Sequence, residues 1–205
     1  MKPKVLIVSG FAGSGKGTVF KIAKELFPKL KLSVSMTTRA PRPGEIDGVH
    51  YYFVTKEEFL ETLSENGFFE HTEYCGNYYG TPKKQFFQMV EEGFTPVLEI
   101  ETDGALQAMQ ELDSYASIFL SPPDFKILEE RLRGRGTETE DSILRRLNTA
   151  KSELELVRKY QHLIVNYDGK AEDAAKAVAD IAATGESNSS VLIRDKEVFI
   201  ENFLK

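Results

Sequence analysis

Residues 5–18, VLIVSGFAGSGKGT, set an apolar run directly before a glycine-rich loop and a helix-forming stretch, and this arrangement constrains the fold more than any other segment. Residues 5–8 carry no polar side chain, as in a strand buried on both faces of a helix-covered parallel sheet. After the loop, Val19, Phe20, Ile22, Ala23, Leu26 and Phe27 recur at helical spacing before Pro28. Gly10, Gly13 and Gly15 let the backbone fold closely around an anion, toward which the following helix presents its positive end. The Gly-x4-Gly-Lys frame therefore reads as a P-loop for a nucleoside triphosphate, made of Gly10, Phe11, Ala12, Gly13, Ser14, Gly15, Lys16, Gly17 and Thr18, with Lys16 reaching the β and γ oxygens. Gly17 stands where such loops usually carry a metal-directed hydroxyl, which leaves Thr18 as the hydroxyl one position late.

Largely apolar stretches at 96–100, 117–120 and 162–165 read as further buried strands. Helical patterns at 83–92, 104–112, 124–133, 140–160 and 171–182 separate them, so the expected fold is α/β, a P-loop three-layer core with a parallel sheet. Asp124, after Pro122 and Pro123, is a candidate N-cap, and Asp168-Gly169 a turn. Between 33 and 79 the texture changes to short aromatic and β-branched runs around one helix at 56–64, which predicts a small α+β insertion built on antiparallel strands. From 186 the chain is polar and then apolar, a linker followed by a docked terminal segment.

With 205 residues, 41% of them hydrophobic, the chain can bury one core with a small insertion. A net charge of −6 argues against general nucleic-acid binding, and arginines at 39 and 42, 131, 133 and 135, and 145 and 146 look like anion sites on an acidic body. No run approaches the ~20 apolar residues of a membrane span, and the opening MKPKVLIVSG is too short in apolar residues for a signal peptide, so a soluble, cytoplasmic protein is expected. The single cysteine, Cys75, excludes an internal disulfide and reads as a small buried or half-buried side chain. His50, His71 and His162 have no metal-ligand spacing, and the oligomeric state stays open.

Glu99 and Glu101, in VLEIETDG, end a core strand with side chains on one face. Ligands of open α/β sheets bind beyond the carboxyl ends of the strands, where these acids could orient Mg²⁺; pairing with a nearby Lys or Arg is the alternative.

The segments SVSMTTRAPRPGEIDGVHYYF (33–53), GFFEHTEYCGNYYGTPKK (67–84), VLEIETDGA (97–105), RLRGRGTETEDSILRRLNTAKSEL (131–154) and LIVN (163–166), in this order, resemble the guanylate kinase family. The resemblance covers roughly 4–184 and implies Mg²⁺-dependent transfer of the ATP terminal phosphoryl group to GMP or dGMP in purine nucleotide metabolism. It implies a core (1–32, 82–124 and 155–185), a GMP-binding subdomain (33–81) and a helical lid (about 125–154), leaving 186–205 as a tail. The matching positions assign the GMP phosphate to Arg39, Arg42, Tyr51 and Tyr79, and the guanine to Ser35, Glu70, Thr81 and Glu101. Two guanidinium forks and two phenols suit a phosphate dianion on chemical grounds as well. A carboxylate between aromatic residues, as in Gly67-Phe-Phe-Glu, can accept both the N1 and the amino protons of guanine. Core packing of Tyr51 and Tyr79, and an ordinary strand role for Ser35, are the alternatives for those residues.

By the same resemblance Lys16, Arg42, Arg135 and Arg146 are catalytic and Arg131 and Arg135 bind ATP; from its place at the strand end beside the P-loop, Glu99 is expected to hold Mg²⁺ through water, with the Thr18 hydroxyl as a further ligand. Arg133 and Arg145 read as surface charges. The family more often has Asp-x-Asp where Glu99-Ile100-Glu101 stands, and each carboxylate here is longer by about 1.5 Å. Two other readings fit parts of the pattern: a catalytically weak protein-interaction module of the same fold, and a P-loop kinase for another small phosphorylated acceptor. The intact Gly15-Lys16 speaks against the first, and Glu70 with Arg39, Arg42 and Tyr79 against the second.

Overall fold

The structure is a computed structural model and describes residues 4–134 and 139–205. The chain runs β1 (Val5–Gly10), α1 (Lys16–Leu26), β2 (Leu30–Leu32), β3 (Met36–Thr37), β4 (Tyr52–Phe53), α2 (Lys56–Ser64), β5 (Phe68–Tyr74), β6 (Asn77–Pro82), α3 (Lys83–Glu91) and β7 (Thr95–Glu99). It continues through α4 (Thr102–Glu111), β8 (Tyr115–Ser121), α5 (Phe125–Gly134), α6 (Glu140–Glu153), a 3-10 turn (Leu154–Lys159), β9 (His162–Val165), α7 (Ala171–Thr184), β10 (Leu192–Ile193) and α8 (Lys196–Phe203).

The main sheet has the order β10-β9-β8-β1-β7-β2, parallel throughout except for the antiparallel edge strand β10. Its apolar strands supply both faces by simple alternation. Leu6 and Val8 of β1 join Val19, Phe20 and Ala23 of α1 and the alanine-rich face of α7 in one core, while Val5 and Ile7 join residues of α3–α6 and α8 in the other. This is a three-layer α/β arrangement, with β1 at the centre between β7 and β8 and the P-loop at its carboxyl end.

The insertion is a four-stranded sheet of order β4-β3-β6-β5, with α2 packed on it through Phe59. Helix α2 begins with a capping box: the Thr55 hydroxyl accepts from the Glu58 amide, and the Glu58 carboxylate accepts from Thr55 N–H. One pairing differs from expectation, because β3 and β4 run parallel. The long connection 38–51 brings the chain back to the start of the neighbouring strand, where a hairpin would have reversed it.

The helix expected over 140–160 changes at Leu154 into a 3-10 turn. Cys75 is exposed, contrary to its reading as a buried or half-buried side chain. It sits with Gly76 in the two-residue turn between β5 and β6, both at positive φ (50° and 75°), so the turn and not the core uses this residue. The tail docks as expected: β10 adds to the sheet edge, and α8 buries Ile200 and Phe203. No helix among the described residues is long and apolar enough to cross a membrane.

Candidate active site

The P-loop is held in shape by close approaches that only glycine permits. A Cβ on Gly10 would run into the Leu120 carbonyl of the neighbouring strand, and one on Gly15, at φ 88°, would lie 2.5 Å from Asn166 Nδ2. That Asn166 amide donates 2.9 Å to the Ser14 carbonyl, tying the loop to the end of β9. Within the loop, Ser14 N–H donates to the Phe11 carbonyl (3.0 Å), and Lys16 Nζ donates to the carbonyls of Gly10 (2.6 Å) and Phe11 (3.4 Å). Among the described residues Ser14 Oγ is buried without a hydrogen-bond partner.

From this loop an open cleft of about 1250 Å³ extends to the insertion sheet. Its walls bring together Gly10, Ala12, Gly13, Gly15, Lys16, Gly17 and Thr18 of the loop with Ser35, Tyr51, Glu70, Tyr79, Glu99, Glu101 and Arg146. Tyr51 and Tyr79 meet edge to face at 6.2 Å. Phe11 and Ser14 are buried behind the loop.

Glu70 owes its place to a β-bulge. Phe68 pairs with Pro82 but His71 with Gly80, so β5 has one residue too many, and three consecutive side chains, Phe68, Phe69 and Glu70, are all buried. The two phenylalanines enter different cores, and the bulge aims the carboxylate at the cleft. Thr81 Oγ1 donates 2.7 Å to Glu70 Oε1, with help from the Thr81 backbone N–H. Burial pushes the Glu70 pKa up, against the stabilising Thr81 contact. Helix α4 passes close by at Gly104, where a Cβ would lie 3.1 Å from Glu70 Oε2.

The arginines are placed less uniformly. Arg39 and Arg42 stand outside the cleft wall. Arg39 packs 5.5 Å from the Tyr51 ring and donates to both carboxylate oxygens of Glu45 (2.9 and 3.0 Å), while Glu45 Oε2 also accepts from Arg42 N–H at 2.7 Å. The Arg39 guanidinium holds the Glu45 carboxyl below its usual range. Arg131 donates to Asp168 (2.6 Å) and to the Asn166 carbonyl (2.7 Å), beside the P-loop, and its Nη1 is buried without a partner among the described residues. Arg135 lies outside the described residues.

Glu99 ends β7, and Glu101 is the residue before α4; both are exposed in the cleft. Among the described residues no three His, Cys, Asp or Glu side chains converge as a metal cage.

Of one further wall, sequence reasoning picked out Arg146 alone. Ser142, Arg145, Arg146, Thr149 and Glu153 line the cleft from a single face of α6, and Thr102 Oγ1 donates 2.9 Å to Glu153 Oε1. Arg145, read as a surface charge, belongs to this wall. Burial raises the Glu153 pKa, opposed by the Thr102 hydrogen bond. The i, i+3, i+4, i+7, i+11 spacing of this polar stripe was the available signal.

The family model for guanylate kinase matches residues 2–184. The chain belongs to the guanylate kinase family. A guanylate kinase from Clostridium perfringens is 42% identical over 86% of this chain and 81% of its own length, and one from Synechocystis is 44% identical over 82% and 88%. A guanylate kinase from Mesoplasma florum is 41% identical over 99% of this chain and 69% of its own, so that alignment runs through the tail. In three dimensions a crystal structure of guanylate kinase from Anaplasma phagocytophilum superimposes with a TM-score of 0.64 at 30% identity, covering 95% of this chain and 92% of the other.

Proposed function

We propose that the chain is a guanylate kinase that transfers the terminal phosphoryl group of ATP to GMP or dGMP, giving ADP and GDP or dGDP. The observation that carries this reading is Glu70, a buried carboxylate set by Thr81 on the wall of the cleft that begins at Lys16. Its two oxygens accept the N1 and amino protons of guanine; adenine has an acceptor at N1 and offers no such pair. Ser35, Thr81 and Glu101 complete the base site. Tyr51, Tyr79, Arg39 and Arg42 hold the GMP phosphate, with Arg39 exchanging the Glu45 carboxylate for phosphate oxygens.

On the donor side the loop amides and Lys16 hold the ATP phosphates, and Arg131, anchored on Asn166 and Asp168, borders the same loop. A phosphate oxygen of GMP attacks the γ-phosphorus in line, and the bond to the β–γ bridging oxygen breaks with its electron pair leaving on ADP. The attacking oxygen is already ionised, so no general base is required. Lys16, Arg42, Arg135 and Arg146 neutralise the charge that spreads over the transferring group, and a lid within about 125–154, whose helices root in the core through Leu128, Leu132, Ile143 and Leu147, excludes water.

Mg²⁺ fits this donor set. Glu99 and Thr18 bring hard oxygen atoms to the cleft beside Lys16, in keeping with an ion held by substrate phosphates, waters and one or two protein groups. When bound it would neutralise phosphate charge. A cytoplasmic location fits a reaction that draws on ATP and GMP.

Coupled ADP release from ATP with GMP, dGMP, AMP, UMP and CMP tests the proposal. GMP and dGMP should turn over well above the ATP background; a faster rate with AMP or UMP would overturn the guanine assignment, and no rate with GMP the whole reading.

A further inference from the structure

We propose that the C-terminal helix α8 positions the phosphate loop, acting through Phe203 on Phe11. The inference rests on the reading of that loop as the ATP site. The match to the family model ends at residue 184, where α7 stops, yet the chain continues through β10 and returns α8 to the opposite face of the sheet.

There Phe203, 1% exposed, stacks on Phe11, itself fully buried, with ring centroids 5.0 Å apart and planes 28° apart. Phe11 also meets Phe119 of β8 edge to face, with ring centroids 4.8 Å apart. Phe11 is thus clamped between the sheet and the tail. Its carbonyl accepts from Ser14 N–H and from Lys16 Nζ, so the backbone of the clamped residue orients the turn that presents the loop's amides and the lysine. A ring that settles into a gap left by Phe203 would carry that carbonyl with it, and small displacements of groups that hold a substrate are costly in rate.

The docking of α8 is built to be held. The Asp195 side chain caps its first turn at Val198 N–H, Lys196 donates to the Tyr160 carbonyl, and Arg158 donates to Glu197 at 2.6 Å. Phe203 is a positioning residue in this scheme and touches no substrate.

Steady-state kinetics of Phe203→Ala and Ile200→Ala in the full chain, well below each melting temperature, test the proposal. Ile200 is buried on the same helix, 6% exposed, and has no ring to stack. Phe203→Ala should raise the KM for ATP about tenfold while the KM for GMP stays within about twofold, a selectivity expected of a misplaced donor loop. Phe203→Leu should recover part of the loss, and it replaces the alanine variant if that one does not fold. Ile200→Ala should lower the melting temperature without the ATP-selective effect. Equal shifts in both KM values, no shift in either, or the same ATP-selective shift in Ile200→Ala would overturn the Phe203–Phe11 route. Wild-type turnover with ATP and GMP tests the underlying site reading separately, because the inference is read from the ratio of variant to wild type.

Discussion

Glu70→Gln separates recognition from stability at one position. The replacement keeps the shape of the side chain and exchanges one acceptor oxygen for a donor NH₂. Thr81 decides which atom goes where: its hydroxyl and its backbone N–H both direct protons at the Glu70 carboxylate, so the amide oxygen takes the Oε1 position and the NH₂ the Oε2 position. Facing guanine, the variant accepts one proton and opposes a donor with a donor. Losing a hydrogen bond to a charged group costs about 1.5–3 kcal/mol, and leaving a buried donor unpaired about 1–3 kcal/mol. Together these give roughly 2.5–6 kcal/mol, a fall of about 10²–10⁴ in kcat/KM for GMP, with the KM for ATP little changed. Stability should move the other way. Burial raises the Glu70 pKa in the folded chain above its ordinary 4.5, so between these two values the folded state binds more protons than the unfolded one, and stability falls as pH rises. Above the folded value the wild type carries the whole penalty. The variant carries none, so its melting temperature should exceed that of wild type at neutral pH, and the gap should close as pH falls below 4.5. Coupled assays and melting curves across pH read both effects. A loss of GMP efficiency smaller than tenfold in a folded variant would refute the guanine role, and a neutral-pH melting temperature below that of wild type would refute the buried-carboxylate argument.

Gly104→Ala brings a Cβ to 3.1 Å from Glu70 Oε2 while adding helix propensity of about 1 kcal/mol to α4, so GMP should bind several-fold more weakly in a protein that melts no lower. Calorimetric titration with GMP checks the first effect and thermal melting the second. Glu99→Gln should shift the Mg²⁺ dependence of turnover to higher concentration, and Glu101→Gln should mainly raise the KM for GMP; equal effects of both variants on both parameters would contradict that division. Leu128→Ala, at a fully buried core position of α5 against Gly13 of the loop, should cost about 2–5 kcal/mol in denaturant unfolding.

The strands of the main sheet were legible because burial on both faces leaves unbroken apolar runs, as at 5–8 and 118–120. Strand β2, Leu-Lys-Leu at the sheet edge, is three residues long and half exposed, too short to set up a period. Strand β10 is shorter still and is defined by its pairing with β9, which no local pattern encodes. The site divides similarly. Glu70 could be picked out by its aromatic neighbours, but the bulge that buries it depends on register against β6. Glu153 and Arg145 sit in a stripe of mixed charge that reads as a solvated helix face, and only the approach of Thr102, 51 positions earlier, turns that face inward. The pairing of Arg39 with Glu45 was hidden in a turn-rich stretch where either residue could have faced water.

The central place of β1 also has a consequence for the order in which the molecule can be made. Its two neighbours are β7 and β8, which begin at Thr95 and Tyr115, so β1 has no sheet partner until the chain has been made past residue 95. At roughly 5–20 residues per second, Val5–Gly10 wait on the order of ten seconds for β7, and Ser14 waits longer still for Asn166. During that interval a run of aliphatic residues is without its sheet. The glycine-rich loop after β1 therefore closes late, and a nascent chain stalled before residue 95 presents VLIV to other chains instead of to its own core.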